Sequence, residues 1–492
     1  MRWILGSPHA CHCVCCAAPR GGRSRLGAAR RLLVGAAALL LGACSTVVPA
    51  PPPAAALYAV DSHYGYRFSN LQPGPNNSDD LFMVVAFSGG GTRSAALAYG
   101  VLEKLRDTPI QWGGKPRRLL DEMDVINSVS GGSYAAAYYG LYGDAFFNEF
   151  PDKFLNADFQ TELWDHFVSI NGMSQVMGWS NNDRVDLLSA IIERRLFTGK
   201  TFADLLAREQ RPLIVMHATD LNRGADFQFT QDQFDPLCTD LSTLPVSRAV
   251  AASSAVPILF GPVTLKNFGG HCGYTQPKWI QPASSGPQDQ SWSLRAQRHA
   301  SDFDSYQDSN QTTGRPWIHL IDGGISDNLG LRGPLESSLA RGGFAPLLQR
   351  MGVHGVRKVV FLVVSAEVVP ESGLDQSGEA PSVRKMASTV LDALMNNISF
   401  ETKAWLRSSF HQWQQEARAS ATQPDSPYAG VPDFYLIEAS LRDIADPLER
   451  KSMMAVPTTF KLSPEQVKAL VKAGRELLEQ APEFQRLVKD LQ

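Results

Sequence analysis

The alternation of apolar and polar positions changes abruptly at residue 81. Residues 57–80 are mixed and polar, but Leu81-Phe82-Met83-Val84-Val85-Ala86-Phe87 is an unbroken apolar run, as expected of a strand buried on both faces. Ser88 to Ser94 is a glycine-rich turn, and Leu97, Val101, Leu102 and Leu105 then recur at helical spacing between Ala95 and Arg106. A second unit repeats the plan: a strand from Asp124 to Val129, a turn at Ser130–Gly132, and a helix-compatible stretch from Tyr134 to Tyr142. Short apolar runs follow at Leu213–Ala218, Ile318–Ile321 and Val359–Val364. Strands alternating with helices predict an α/β domain with a mostly parallel sheet.

Two insertions interrupt that rhythm. Residues 145–200 are rich in Phe, Trp and Met (Phe146, Phe147, Phe150, Phe154, Trp164, Phe167, Met173, Met177, Trp179) and read either as an apolar groove or lid or as helical core. Residues 264–316 are rich in Gly, Ser and Gln and read as an irregular surface excursion. Beyond about 370 come a helical segment from Val383 to Glu416, a strand candidate Phe434–Ile437 and a terminal helix from Pro464, which Ser463 is placed to cap. There is no internal repeat.

Composition changes the picture mainly at the start of the chain. The 492 residues are 44% hydrophobic and 19% charged, which is globular. The net charge of −3 conceals six arginines and no acid within residues 1–43; the remainder carries 40 basic and 49 acidic groups, a net −9 with no drive toward nucleic acid. The basic stretch Arg20–Arg31, the apolar run Leu32–Leu41 and Gly42-Ala43 describe a signal peptide, too short to span a bilayer. Leu41-Gly42-Ala43-Cys44 resembles the lipobox of bacterial lipoproteins, with Cys44 as the lipidated residue, and Pro49–Ala56 reads as a stiff tether. Cell-envelope localisation with a membrane anchor at Cys44 is the expectation. Cys11, Cys13, Cys15 and Cys16 precede that cut and, with His12, are weak as a metal site; only Cys238 and Cys272 follow Cys44, and they can pair in an oxidising compartment. The predicted organisation is 1–43 leader, 44–79 tether and lead-in, 80–340 catalytic domain and 341–492 C-terminal α/β extension packed on the core.

Three constellations stand at predicted strand ends, where open α/β sheets place ligands. Gly89-Gly90-Gly91-Thr92-Arg93 allows a sharp turn that aims amide N–H groups at one point beside a helix start, suited to a phosphate or a developing oxyanion. No Gly-Lys-Ser/Thr follows, so a P-loop is disfavoured. Ser128-Val129-Ser130-Gly131-Gly132 has the small residues that a strand-to-helix elbow needs on either side of an exposed nucleophile, Ser130. Ser133 is the rival. Ile321-Asp322-Gly323-Gly324 puts an acid at the end of a buried strand; a carboxylate serves as a base near neutral pH only if burial raises its pKa. Asp220 and Asp327 are the fallback acids, and His319 reads as a packed strand residue.

Together these blocks resemble the patatin-like phospholipases, whose signature is a Gly-Gly-Gly-x-Arg loop, a Gly-x-Ser-x-Gly elbow and Asp-Gly-Gly or Asp-Gly-Ala. Two further stretches look similar, Ala218-Thr219-Asp220-Leu221 and the Ala249–Pro257 block. The resemblance covers roughly residues 80–340, with two departures, Ser128 and Ser94, each Gly in the usual pattern. It implies a three-layer α/β/α fold with a helical C-terminal extension, and a serine acyl hydrolase acting on phospholipid or another acyl ester. Ser130 would attack the ester carbonyl, Asp322 would accept its proton, and the turn at Gly90-Gly91 would hold the oxyanion, with no cofactor or metal. Arg93 would orient the loop, meet a phosphate head group or form a structural ion pair. Two other functions fit the same residues: an envelope lipoprotein of weak or no activity that binds lipid or a protein, and an esterase on non-lipid esters.

Overall fold

The apolar run Leu81–Phe87 forms strand β1 residue for residue, with all seven side chains buried. The computed structural model describes residues 54–168, 184–257, 259–279, 291–310, 312, 314–368, 374 and 378–492. The leader, Cys44, the four early cysteines, Met173, Met177 and Trp179 lie outside the described residues. Strands β2 (Met123–Val129), β3 (Leu213–Asp220), β4 (Ala225–Gln228), β5 (Val263–Lys266), β6 (Trp317–Asp322), β7 (Val356–Ser365) and β8 (Tyr428–Ser440) join β1 in one sheet, in the order β8-β7-β1-β2-β3-β6-β5. The five strands from β8 to β3 run parallel. β6 and β4 pair antiparallel with β3, and β5 antiparallel with β6. β7 and β8 arise beyond residue 340, so the segment drawn as a C-terminal extension supplies two strands of the central sheet as well as helices on its flanks.

Helices cover both faces. Helices α1 (Gly91–Arg106) and α2 (Gly131–Tyr142) follow β1 and β2 directly; the sequence pattern starts both later because their first turns are built from turn-forming residues. α3 (Val246–Ser253), α4 (Gly324–Asp327), α5 (Arg332–Ala340), α6 (Phe344–Arg350), α7 (Val383–Ser420) and α8 (Pro464–Gln480) follow in turn. α8 begins with a capping box in which Ser463 and Gln466 satisfy each other's backbone N–H groups. It then crosses α1 so closely that a Cβ at Gly100 would lie 2.0 Å from the Val471 carbonyl oxygen. On the opposite face Phe344 of α6 packs against Phe82 and Phe361 of the sheet and stacks on Trp413 of α7 at 4.5 Å.

The insertions resolve differently from their composition. Phe146, Phe150 and Phe154 are fully buried and stack in series, and Tyr134 of α2 stacks on Phe154 at 4.4 Å, so these rings are core and not a groove. Trp164 is exposed. The second insertion is not irregular throughout: Ser291–Asp304 is a helix whose Ala296 and Ala300, four apart, pack against Ala340. Small alanines carry that period, which polar composition hides. Cys238 and Cys272 form a disulfide, and the backbone N–H groups of Leu57 and Val60 donate to the carbonyls of those two cysteines.

Candidate active site

The chain leaves β1 toward β2 on one side, while β7 lies on the other, so the carboxyl end of β1 is a topological switch point, where open sheets bind ligands. The loop Ser88–Gly90 leaves β1 there. Its ends are pinned by three contacts: the Ser88 N–H donates to Val364, the Ala366 N–H donates to the Ser88 hydroxyl, and the Ser94 hydroxyl donates to the Ser88 carbonyl.

One strand over, Ser130 sits between β2 and α2 with φ 49° and ψ −120°. A non-glycine residue held there is strained and persists only because its surroundings dictate it. Those surroundings are visible. The Ser130 N–H donates to Ser253 Oγ at 2.8 Å, and Ser253 Oγ donates to the His217 carbonyl at 2.6 Å. Gly131 and Gly132 are required by close approach: a Cβ at Gly131 would lie 2.0 Å from the Gly91 carbonyl oxygen, and one at Gly132 2.8 Å from Phe87 Cβ. Ser128 shows no positive φ, and its hydroxyl, which donates to Val215 and accepts from Ser133, is satisfied within the core. Ser133 is spent on Ser128 and Ser253.

The third loop carries Asp322, the last residue of β6. Its N–H donates to Ala255 and that of Gly323 to Ser253, so the Ala249–Pro257 block fastens both the elbow and the acid loop. The Asp322 carboxylate accepts from the Gly324 N–H at 2.8 Å, and the Ser130 side chain lies close enough to lower its pKa. Burial pushes its carboxyl up to about 6, and the Gly324 N–H and the neighbouring Ser130 hold it lower than burial alone would. Ser130 is 8% and Asp322 2% exposed.

The other candidates are engaged elsewhere. Asp220 binds Tyr306 and Arg315, and Asp327 accepts the N–H groups of Leu329 and Arg332. His319 is half-buried and pairs with Thr264. His217, which sequence reasoning passed over, is fully buried between Asp226 and Asn127 and shares only its backbone with the site.

Within the glycine loop, the expected donors separate. The Gly89 N–H is committed to the Asn328 carbonyl and that of Thr92 to the Thr459 carbonyl. Arg93 is 3% exposed, and its guanidinium donates to the carbonyls of Ala366 and Val456 at 2.9 and 2.5 Å. It thus anchors the loop through neutral carbonyls instead of a head group or a hydrogen-bonded ion pair, and burial lowers its pKa to about 10. The N–H groups of Gly90 and Gly91 have no acceptor among the described residues. They stand at the start of α1, where the helix dipole favours negative charge. Among the described residues no cluster of His, Cys, Asp and Glu has the arrangement of a metal site.

Comparison with known proteins places this geometry in context. The profile described as "Patatin-like phospholipase" matches residues 85–335, just over half of the chain. No curated protein matches the sequence. Among solved structures, human GIVD cytosolic phospholipase A2 is 12% identical, with a TM-score of 0.43 over 84% of this chain; the chain spans 60% of that protein's length. VipD from Legionella pneumophila is also 12% identical, with a TM-score of 0.32 over 92% of this chain and 73% of its own.

Proposed function

This chain belongs to the patatin-like phospholipase family, and from that premise we propose that it hydrolyses fatty-acyl esters of lipids through a Ser130–Asp322 dyad. One observation carries the reading: a serine held at a strained strand-to-helix elbow lies beside a buried carboxylate whose pKa burial has raised. Ser130 Oγ attacks the ester carbonyl carbon while its proton passes to Asp322. The N–H groups of Gly90 and Gly91 receive the developing oxyanion, each such donor lowering the barrier by about 3 kcal/mol. Asp322 then protonates the departing alkoxide and leaves an acyl-serine. Water attacks that ester, Asp322 takes its proton and returns it to Ser130 Oγ, and the fatty acid departs.

A lipid surface is favoured over soluble esters by α7. This helix passes over the acid loop, where a Cβ on Gly324 would meet Met395 Cε at 2.8 Å. Its first turns expose Val383, Met386, Val390 and Leu394 on one stripe. A fluorophosphonate probe should label the chain stoichiometrically and the Ser130→Ala chain not at all. Fatty-acid release from phospholipid vesicles should disappear with the label. Labelling that survives Ser130→Ala refutes the dyad, and turnover of monomeric short-chain esters with none on vesicles refutes the lipid substrate.

The membrane anchor belongs to the same proposal. It rests on the lipobox-like quartet ending at Cys44, consistent with an envelope lipoprotein. Mass spectrometry of the mature chain should find an acylated Cys44 at its N-terminus; an unmodified N-terminus at another residue removes this part.

A further inference from the structure

A cavity of about 470 Å3 opens on the α5/α6/α7 face of the sheet, and neither Ser130 nor Asp322 lines it. That volume is typical of small-molecule sites. Its floor is apolar sheet, including Phe82, Val84, Val125 and Val215, and its roof includes Phe344 and Leu347 of α6. The rim is cationic: Arg67, Arg341 and Arg350 line it against one carboxylate, Asp232. Arg67 is already neutralised, by Asp232 at 2.8 Å and Asp235 at 3.1 Å.

Among the described residues neither of the other two arginines forms an ion pair, and Asp232 acts on Arg341 only from a distance. Arg341 donates to the Ser337 carbonyl and stacks on Trp279, and its buried Nε has no acceptor among the described residues. Burial and the neighbouring Arg350 charge lower its pKa to about 10, against the weaker opposing pull of Asp232. Arg350 is exposed and forms no ion pair among the described residues. At the far wall the Asn127 Nδ2, also buried, lacks an acceptor among the described residues, which a ligand oxygen or a water would supply.

We infer that this cavity is a binding site for a single-chain anionic amphiphile, its carboxylate or phosphate head on Arg341 and Arg350 and its alkyl chain along the β1–β3 floor. The site is independent of the dyad, and the test is arranged accordingly. In the full chain carrying Ser130→Ala, so that hydrolysis neither makes nor removes ligand, dodecanoate and dodecyl phosphate are titrated by calorimetry below their micellar concentrations. Dodecyltrimethylammonium is the control with the same tail. One anion per chain should bind saturably and the cation should not. Arg350→Gln, at an exposed position, and Arg341→Gln should each weaken binding about tenfold, the loss of one charge-assisted contact. Leu347→Trp should abolish it by filling the cavity. If only dodecyl phosphate responds to the arginine variants, the head is a phosphate; if only dodecanoate does, it is a carboxylate. Uptake that Arg350→Gln, Arg341→Gln and Leu347→Trp all leave unchanged, in chains whose melting curves match the parent, overturns the site, as does equal uptake of the cation.

Discussion

Two buried acids lie near opposite ends of the sheet, and they make an instructive pair. Asp124, at the start of β2, has the Met83 N–H at 2.7 Å, Arg211 at 3.1 Å and the Asn77 amide at 3.3 Å. Asp322, at the end of β6, has one backbone N–H at 2.8 Å and the Ser130 side chain beside it. Burial raises both, Asp124 to about 7 and Asp322 to about 6. The acid with an arginine beside it is thus displaced further than the one without, because desolvation outweighs the paired charge. A displaced pKa alone would therefore choose the wrong residue. What separates the two is what a proton can reach: Asp124 is surrounded by donors with structural duties, whereas Asp322 faces a hydroxyl at a strained turn beside two unpaired amides.

The largest test of that contrast is to remove each charge in turn. Asp322→Asn should reduce kcat about 10³-fold, the usual contribution of a positioned base. It should also stabilise the fold. Between 3.8 and about 6 the folded chain keeps a proton that the unfolded chain has released. Stability therefore falls as pH rises through that window, and above it the ionised Asp322 costs about 3 kcal/mol. A neutral isostere removes the cost, so at pH 7.5 the melting temperature should rise by about 3 °C. Slower turnover with a lower melting temperature would mean that Asp322 is a structural anion and not a base.

A smaller effect comes from pH. kcat/KM should fall about tenfold per unit below pH 6 as a single proton occupies Asp322. Asp124→Asn should leave both that limb and the plateau rate within about twofold, because its partners lie at the other end of β2. A limb that moves with Asp124→Asn and not with the dyad would reverse the assignment made from the two environments.

How much of this was legible beforehand follows the range of the contacts. β1 is a local fact, seven apolar residues in a row, and its limits match the sequence pattern. The three loops were legible because small residues cluster only where backbones touch, as Gly131 does against Gly91. The partners that decide which amide is free were not, since Asn328, Val456 and Thr459 come from far along the chain and carry no local signal. Ser253 was within reach, inside a block already singled out, but that it fastens both Ser130 and Gly323 appears only on folding. The aromatic insertion was ambiguous for a different reason: Phe146, Phe150 and Phe154 would look alike in composition lining a groove or filling a core.

The finest test concerns Ser94, one of the two positions where the chain departs from the family pattern. A glycine there would leave the Ser88 carbonyl without the donor it has here, and Ser94 is 2% exposed. The hydroxyl thus ties the first turn of α1 to the exit of β1 and closes the loop that presents Gly90 and Gly91. Ser94→Ala removes that tie while adding no bulk and no backbone freedom, and alanine is the better helix former. One neutral buried hydrogen bond is worth about 1 kcal/mol, so the melting temperature should drop by about 1 °C. If the loop's rigidity keeps the two amides aligned, kcat should fall about two- to fivefold while KM holds, because only an interaction strengthened in the transition state has been loosened. The reverse split, KM up and kcat unchanged, would mean that the loop positions substrate and leaves the oxyanion to other donors. The unpaired amides beside Ser130 would then lose their role, and Asp322 alone would distinguish this end of the sheet from the end that holds Asp124.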